Sequence, residues 1–197
     1  MGPARDVTLD LAKISSTSLF VETGTFKGKT TRWASEHFSR VFTIERAEPF
    51  YQRYSPELDR IRNITPLLGD SRQVLPQIID EIGGQTAMFW LDGHWCGGVT
   101  AGDDDECPLI DELKVLANRA DDIIMIDDAR LFLRAPPLPH NADDWPTLFD
   151  IAAVFAQQLD KRYIQIFHDT IFIVPNTKNY VEILREHARR YAESLTA

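Results

Sequence analysis

Acids close most of the apolar runs of this chain, and two of those runs carry the residues best suited to chemistry. Trp90-Leu91-Asp92-Gly93-His94-Trp95 ends one run, and Met125-Ile126-Asp127-Asp128 ends another. If the two runs are neighbours in one sheet, Asp92, Asp127 and Asp128 converge. Three anions so close repel one another unless a proton or a cation intervenes. Oxygen-only ligands favour Mg²⁺, Mn²⁺ or Ca²⁺ over zinc. The plainer reading is that Asp127 and Asp128 cap or solvate a loop. His94 lies two residues past Asp92. An imidazole titrates close to working pH and can take a proton from a hydroxyl. The plainer reading of His94 is a loop histidine bonded to backbone.

A second constellation suits a nucleoside. The run Phe20-Val21-Glu22 ends in an acid, and Thr23-Gly24-Thr25-Phe26-Lys27-Gly28 follows, with two glycines four apart. Glycines let backbone approach a ligand closely, and a helix N-terminus behind them offers free N–H groups. The spacing is neither the dinucleotide fingerprint nor a phosphate loop. Glu45 ends the next apolar run, about twenty residues on, where such a fold places an acid on ribose hydroxyls. Gly69-Asp70-Ser71 follows the third run. Asp70 can accept from an amino group, or Asp70 and Ser71 can simply cap the next helix.

These residues need a scaffold that brings strand ends together. Apolar, β-branched runs at 19–22, 41–45, 64–68, 87–92, 123–127, 163–167 and 170–174 predict strands. Helical spacing predicts helices over 28–38, 50–61, 71–82, 108–118, 145–159 and 179–195. Strand–helix alternation of this kind argues for a parallel sheet covered on both faces. Only His168-Asp169 separates the last two strands. So short a link cannot make a parallel crossover, so these two strands form an antiparallel hairpin. In open α/β sheets, ligands sit outside the carboxyl ends of the strands.

Composition narrows the rest. The chain has 197 residues, which reads most simply as one domain spanning 1–197. Its formal net charge of −9 disfavours a long polyanion such as nucleic acid. No apolar run approaches a membrane span, no signal core follows the N-terminus, and a cytoplasmic location is expected. Cys96 and Cys107 make no disulfide framework; two free thiols suit a reducing compartment, and one loop-closing bridge is the alternative. They flank the acidic stretch 102–106, which reads as solvated surface, or as a gate with Gly97 and Gly98, or as a recruiter of cations. Trp95, Phe132 and Trp145 could stack on an acceptor ring, although Trp145 could equally pack under its loop. Arg130 and Arg134 could bind an anionic group or pair with the acidic loop. His140 could reach an acceptor.

Glu22-x-Gly24-x-x-x-Gly28, five β–α units and a terminal hairpin together resemble the class I S-adenosylmethionine (SAM)-dependent methyltransferases over nearly the whole chain. The resemblance implies a Rossmann-like three-layer α/β sandwich with a seven-stranded, mostly parallel sheet of order 3-2-1-4-5-7-6. It implies SAM as cofactor, held by Glu22, Thr23, Gly24, Gly28, Thr30, Glu45, Asp70, Ser71 and Asp92. The strand-four and strand-five acids resemble those of metal-dependent O-methyltransferases, above all the macrocin-type sugar enzymes and more distantly the catechol type. By that likeness Asp92, Asp127 and Asp128 hold Mg²⁺ (or Mn²⁺ or Ca²⁺), while His94 with Asp92 serves catalysis on a sugar or other small-molecule hydroxyl. The catechol type carries a lysine where this chain has Trp95 or Cys96, which favours the sugar comparison. A phenol acceptor, a nucleotide-binding oxidoreductase and a non-catalytic cofactor-binding protein are the alternatives. With no cap domain, a second copy of the chain could complete the pocket.

Overall fold

The computed structural model describes residues 2–95 and 105–196. The elements run α1 (Arg5–Ser15), β1 (Leu19–Thr23), α2 (Lys29–Ser35), β2 (Arg40–Glu45), α3 (Glu48–Leu58), β3 (Ile64–Leu68) and α4 (Ser71–Ile82). They continue with β4 (Met88–Leu91), α5 (Leu109–Leu116), β5 (Ile123–Ile126), α6 (Leu148–Val154), β6 (Arg162–Phe167), β7 (Thr170–Pro175) and α7 (Lys178–Ser194). The seven strands form one sheet of order β3-β2-β1-β4-β5-β7-β6. Pairing is parallel from β3 to β5 and antiparallel at β5–β7 and β7–β6. Fold class and strand order match the expectation.

Side-chain alternation along the strands builds three layers. Val21, Phe42, Ile44, Phe89, Leu91, Ile124 and Ile126 point to one face and meet Leu75, Ile78 and Ile82 of α4, Leu113 and Leu116 of α5, and Ile151 of α6. Phe20, Val41, Met88, Trp90, Ile123 and Met125 point to the other face and meet Leu11 of α1, Trp33 of α2, Leu58 of α3 and Leu184 of α7. Successive strand residues alternate faces, so strands covered on both sides read as continuous apolar runs. Each fully buried large side chain contributes roughly 1.5–3 kcal/mol of transfer free energy, which fixes the register that places the strand tips.

The β6–β7 link turns through His168 (φ 51°) and Asp169 (φ 58°). Positive φ at both central residues is the pattern of a two-residue turn whose twist suits a hairpin. The helix over 71–82 is found at the expected bounds, capped by Asp70, whose side chain accepts from the Arg72 N–H. Two elements depart from expectation. Helix α1 was not anticipated; it buries only Val7, Thr8 and Leu11, too sparse a stripe to stand out in sequence. The helix expected over 145–159 is shorter, because a reciprocal Thr147–Asp150 capping box starts it after Trp145. Cys96, Gly97, Gly98, Asp103 and Asp104 lie outside the described residues, so the gate and the Cys96–Cys107 pairing do too. Cys107 is a buried thiol, pushed up to about 12 by burial. No described helix is long and apolar enough to cross a membrane.

Candidate active site

The parallel strands end on a common edge, and the turn after β1 is shaped by its neighbours there. Gly24 has φ +83°, and a Cβ on it would lie 2.1 Å from the Asp92 carbonyl oxygen. The N–H groups of Gly24 and Thr25 donate to the Ile44 carbonyl at 2.9 and 3.2 Å. The turn is thus clamped between β2 and β4. Gly28 has φ +67°, and a Cβ there would press on Leu58. Thr23 accepts the Asp92 N–H at both its carbonyl (3.1 Å) and its Oγ1 (3.2 Å). Glu45 takes the Phe26 N–H on Oε2 (2.7 Å) and the Ala47 N–H on Oε1 (2.8 Å), which holds the turn beside β2. Thr30 is half-buried, and its Oγ1 faces Gly2.

Glu22 is turned inward. It is 2% exposed, and its Oε2 accepts from Thr31 and Thr43 hydroxyls, the latter at 2.7 Å. Burial pushes its carboxyl up to about 8, although both hydroxyls pull it down. Between the ordinary value of 4.5 and 8 the folded chain therefore binds a proton that the unfolded chain has lost. Stability falls as pH rises through that window. Glu22→Gln is expected to remove this slope. In thermal melts of the cofactor-free protein the variant should gain on wild type at the alkaline end and match it near pH 4.5.

Asp70 has a partner that the sequence reading did not foresee. Arg72 forks onto it, Nε to Oδ1 (2.9 Å) and a terminal nitrogen to Oδ2 (2.7 Å), and reaches across to Asp105. Hydrogen bonding from Arg72 holds the Asp70 carboxyl below its usual range. The capping alternative is the one observed. Ser71 is buried beneath it at the start of α4.

The tips of β4 and β5 are adjacent, as the in-register pair Leu91 and Ile126 shows. His94 is 8% exposed, and its Nε2 lies 2.9 Å from Asp128 Oδ2. Asp128 sits at φ 54°, and its Oδ1 accepts from Arg130 at 2.6 Å. Arg130 is held in turn by Asp169 of the hairpin turn. Despite partial burial, His94 and Arg130 hold Asp128 down at about 2. Asp92 goes the other way, to about 7, through burial and through Asp127 and Asp128, with His94 opposing. Asp127 is also raised, mainly by burial, and its Oδ1 accepts the Asp128 N–H at 2.8 Å.

This arrangement does not fit the expected Mg²⁺ site. Both oxygens of Asp128 are engaged by His94 and Arg130. Among the described residues, no three His, Cys, Asp or Glu side chains are grouped to hold a metal ion. The charge that a cation was expected to balance is met by an imidazole and a guanidinium, together with the raised values of Asp92 and Asp127.

Near the strand tips, Glu106 and Glu112 are buried acids that escaped the sequence reading. Glu106, expected on a solvated surface, is 3% exposed. It accepts from Trp145 Nε1 (2.6 Å) and the Asn141 N–H (2.8 Å), and lies 2.8 Å from His140 Nδ1. Its carbonyl accepts the Trp95 N–H at 2.7 Å. It therefore ties the loop after β4 to the long loop after β5. Burial raises its carboxyl, but the hydrogen bonds outweigh this and leave it low. Trp145 is buried edge-on to His94 (5.2 Å) and to His140 (5.2 Å), so it packs under the loop. Arg134 is exposed. The second acid, Glu112, sits on the apolar stripe Leu109, Leu113, Leu116 of α5 and is 1% exposed. A charged residue inside such a stripe was the available signal.

No protein-family model and no curated protein matches the chain. Solved structures match it in fold. TomG, an O-methyltransferase of Streptomyces achromogenes involved in tomaymycin synthesis and solved with SAM, is 17% identical, with a TM-score of 0.53 over 87% of this chain and 79% of its own. A putative methyltransferase from Streptococcus mutans, in complex with SAH, is 15% identical, with a TM-score of 0.51 over 87% and 98%. Spermidine synthase from Thermotoga maritima is 7% identical, with a TM-score of 0.54 over 94% and 62%. The scaffold is shared, and it serves more than one chemistry.

Proposed function

We propose that this chain is a SAM-dependent O-methyltransferase that acts on a hydroxyl of a sugar or a related small molecule. The observation that carries the reading is the His94–Asp128 pair, 2.9 Å apart, at the tips of β4 and β5. It stands beside the Gly24 turn, at the strand ends where such sheets bind ligands. Glu45 can still serve a ribose, since each carboxylate oxygen has a second lone pair beyond its backbone bond. The buried acid Glu112 suits a cationic ligand.

SAM supplies a methyl group made electrophilic by its sulfonium. The residues of the chain then have to ready a hydroxyl, which is a poor nucleophile at neutral pH. Asp128 fixes the ring of His94 through Nε2. Arg130 holds Asp128 in place. His94 takes the hydroxyl proton as the oxygen–carbon bond forms and the carbon–sulfur bond breaks. Positioning and proton transfer are the main contributions of the protein. Trp95 and His140, ring edge to face at 5.4 Å, offer a half-buried aromatic surface beside the base. Such a surface suits the apolar face of a sugar ring.

Calorimetric titration with SAM, S-adenosylhomocysteine (SAH) and NAD tests the cofactor class. Binding of the two sulfur nucleosides, and not of NAD, is expected. Screening sugars, glycosides and catechols for methyl transfer then tests the acceptor. Turnover is expected to survive exhaustive chelation. Loss of activity on chelation, with recovery on adding Mg²⁺, would return Asp92, Asp127 and Asp128 to the role of metal ligands.

A further inference from the structure

Glu112 has no role in the proton transfer described above, yet it lies under the floor of the site. It is 1% exposed in the first turn of α5. A Cβ on Gly93 would lie 3.3 Å from its Oε1 and 3.1 Å from Thr23 Oγ1. The carboxyl is therefore wedged between the tips of β1 and β4. The hydroxyls of Ser71 and Thr23 are near enough to favour its charged form. Oε1 itself has no hydrogen-bond partner among the described residues.

The environment is wrong for a purely structural acid. Leu109, Leu113 and Leu116 on the same stripe are buried in the core, and a fourth apolar residue would continue it. Buried carboxylates are normally paired with a cation or strongly hydrogen-bonded. Among the described residues, Glu112 has neither an ion pair nor a bond on Oε1. Glu22, across the β1 tip, likewise has no ion pair among the described residues and leans on threonine hydroxyls. The cation-forming side chain that acts on Glu112 among the described residues is His94, which is bonded to Asp128. Burial pushes Glu112 up, so its charge is costly until a cation comes close. The low-dielectric floor that imposes this cost also strengthens the attraction to such a cation.

We propose that Glu112 is an electrostatic selectivity residue, favouring the sulfonium of SAM over the uncharged thioether of SAH. This rests on the methyltransferase reading and adds a residue to it. The carboxyl acts through the thin floor of Gly93 and Thr23, without touching the ligand. A buried anion near the sulfur would raise affinity for the substrate cation relative to the product and ease product release.

The test compares SAM and SAH affinities by calorimetry in wild type and Glu112→Gln. The amide keeps the shape and removes the charge. SAM affinity is expected to fall about tenfold, and SAH affinity by no more than about twofold. Equal losses would make Glu112 a packing residue and overturn the inference, as would no loss at all. If the glutamine variant fails to fold, Glu112→Leu, which continues the apolar stripe, is measured against the same criterion. Wild-type protein that binds neither ligand would overturn the methyltransferase reading and this inference with it.

Discussion

Replacing His94 with alanine is expected to lower methyl transfer by about 10²–10⁴-fold, the usual contribution of a positioned general base. SAM affinity should change by less than about threefold. The split follows from where the ring sits. Its polar contact to Asp128 belongs to the β5 tip, and its ring edge meets Trp145 of the long loop. Neither contact reaches the Gly24 turn or Glu45, where the nucleoside is proposed to lie. The loss should also carry a pH signature. Asp128 is held at about 2, so it remains ionised across the neutral range. A general base works only in its deprotonated form, so the wild-type rate should rise with pH to a plateau. In the variant this limb should vanish. A variant that keeps both turnover and pH profile would remove His94 from the mechanism. A variant that loses SAM binding in proportion would make it a structural histidine.

Gly24→Ala should be the most damaging single-methyl change in the chain. The residue is at φ +83°, and the added carbon would meet the Asp92 carbonyl oxygen at 2.1 Å and its carbon at 2.7 Å. Both obstacles are backbone, so no side chain can swing away. Strained backbone costs of order 1–3 kcal/mol, and overpacking adds to it. A loss of about 3 kcal/mol would lower the melting temperature by roughly 6–12 °C in a chain of this size. The β1 turn and the β4 tip would have to separate, so SAM affinity should fall by at least about tenfold even where the variant folds. Gly84→Ala is the control, because nothing lies within 4 Å of its added carbon. It should leave stability unchanged or raise it by about 0.4–1 kcal/mol. Similar melting temperatures for the two variants would contradict the clamped turn.

The scaffold was legible because its signals are local and redundant. The β5 run Ile123–Ile126 is apolar throughout because helices cover both faces of the sheet. The two-residue link His168-Asp169 left the last strand pair only one way to form. The positions of Asp92, His94, Asp127 and Asp128 at neighbouring strand tips were legible for the same reason. Their partners were not. Whether Asp128 meets a cation, an imidazole or a guanidinium depends on Arg130, on the turn residue Asp169 and on one positive φ. The His94 and Asp169 contacts join segments far apart in sequence, and no local pattern announces them. The partner of Asp70 was not legible either: Arg72, two residues on, folds back onto its carboxylate. Glu106 was hidden by its neighbours. Standing at the end of an acidic stretch it reads as surface, and only the return of Asn141 and Trp145 from the long loop buries it. Glu112 was in plain view as an acid on an apolar stripe, but its meaning needs the strand tips above it.

The most direct test of the central claim is transfer of an isotopically labelled methyl group from SAM to a panel of sugars, glycosides and catechols. SAH release is followed in the same reaction. A methylated hydroxyl product, formed one-for-one with SAH and lost in His94→Ala, is the expected result. Wild-type protein that binds neither SAM nor SAH, and labels no acceptor, would contradict the account.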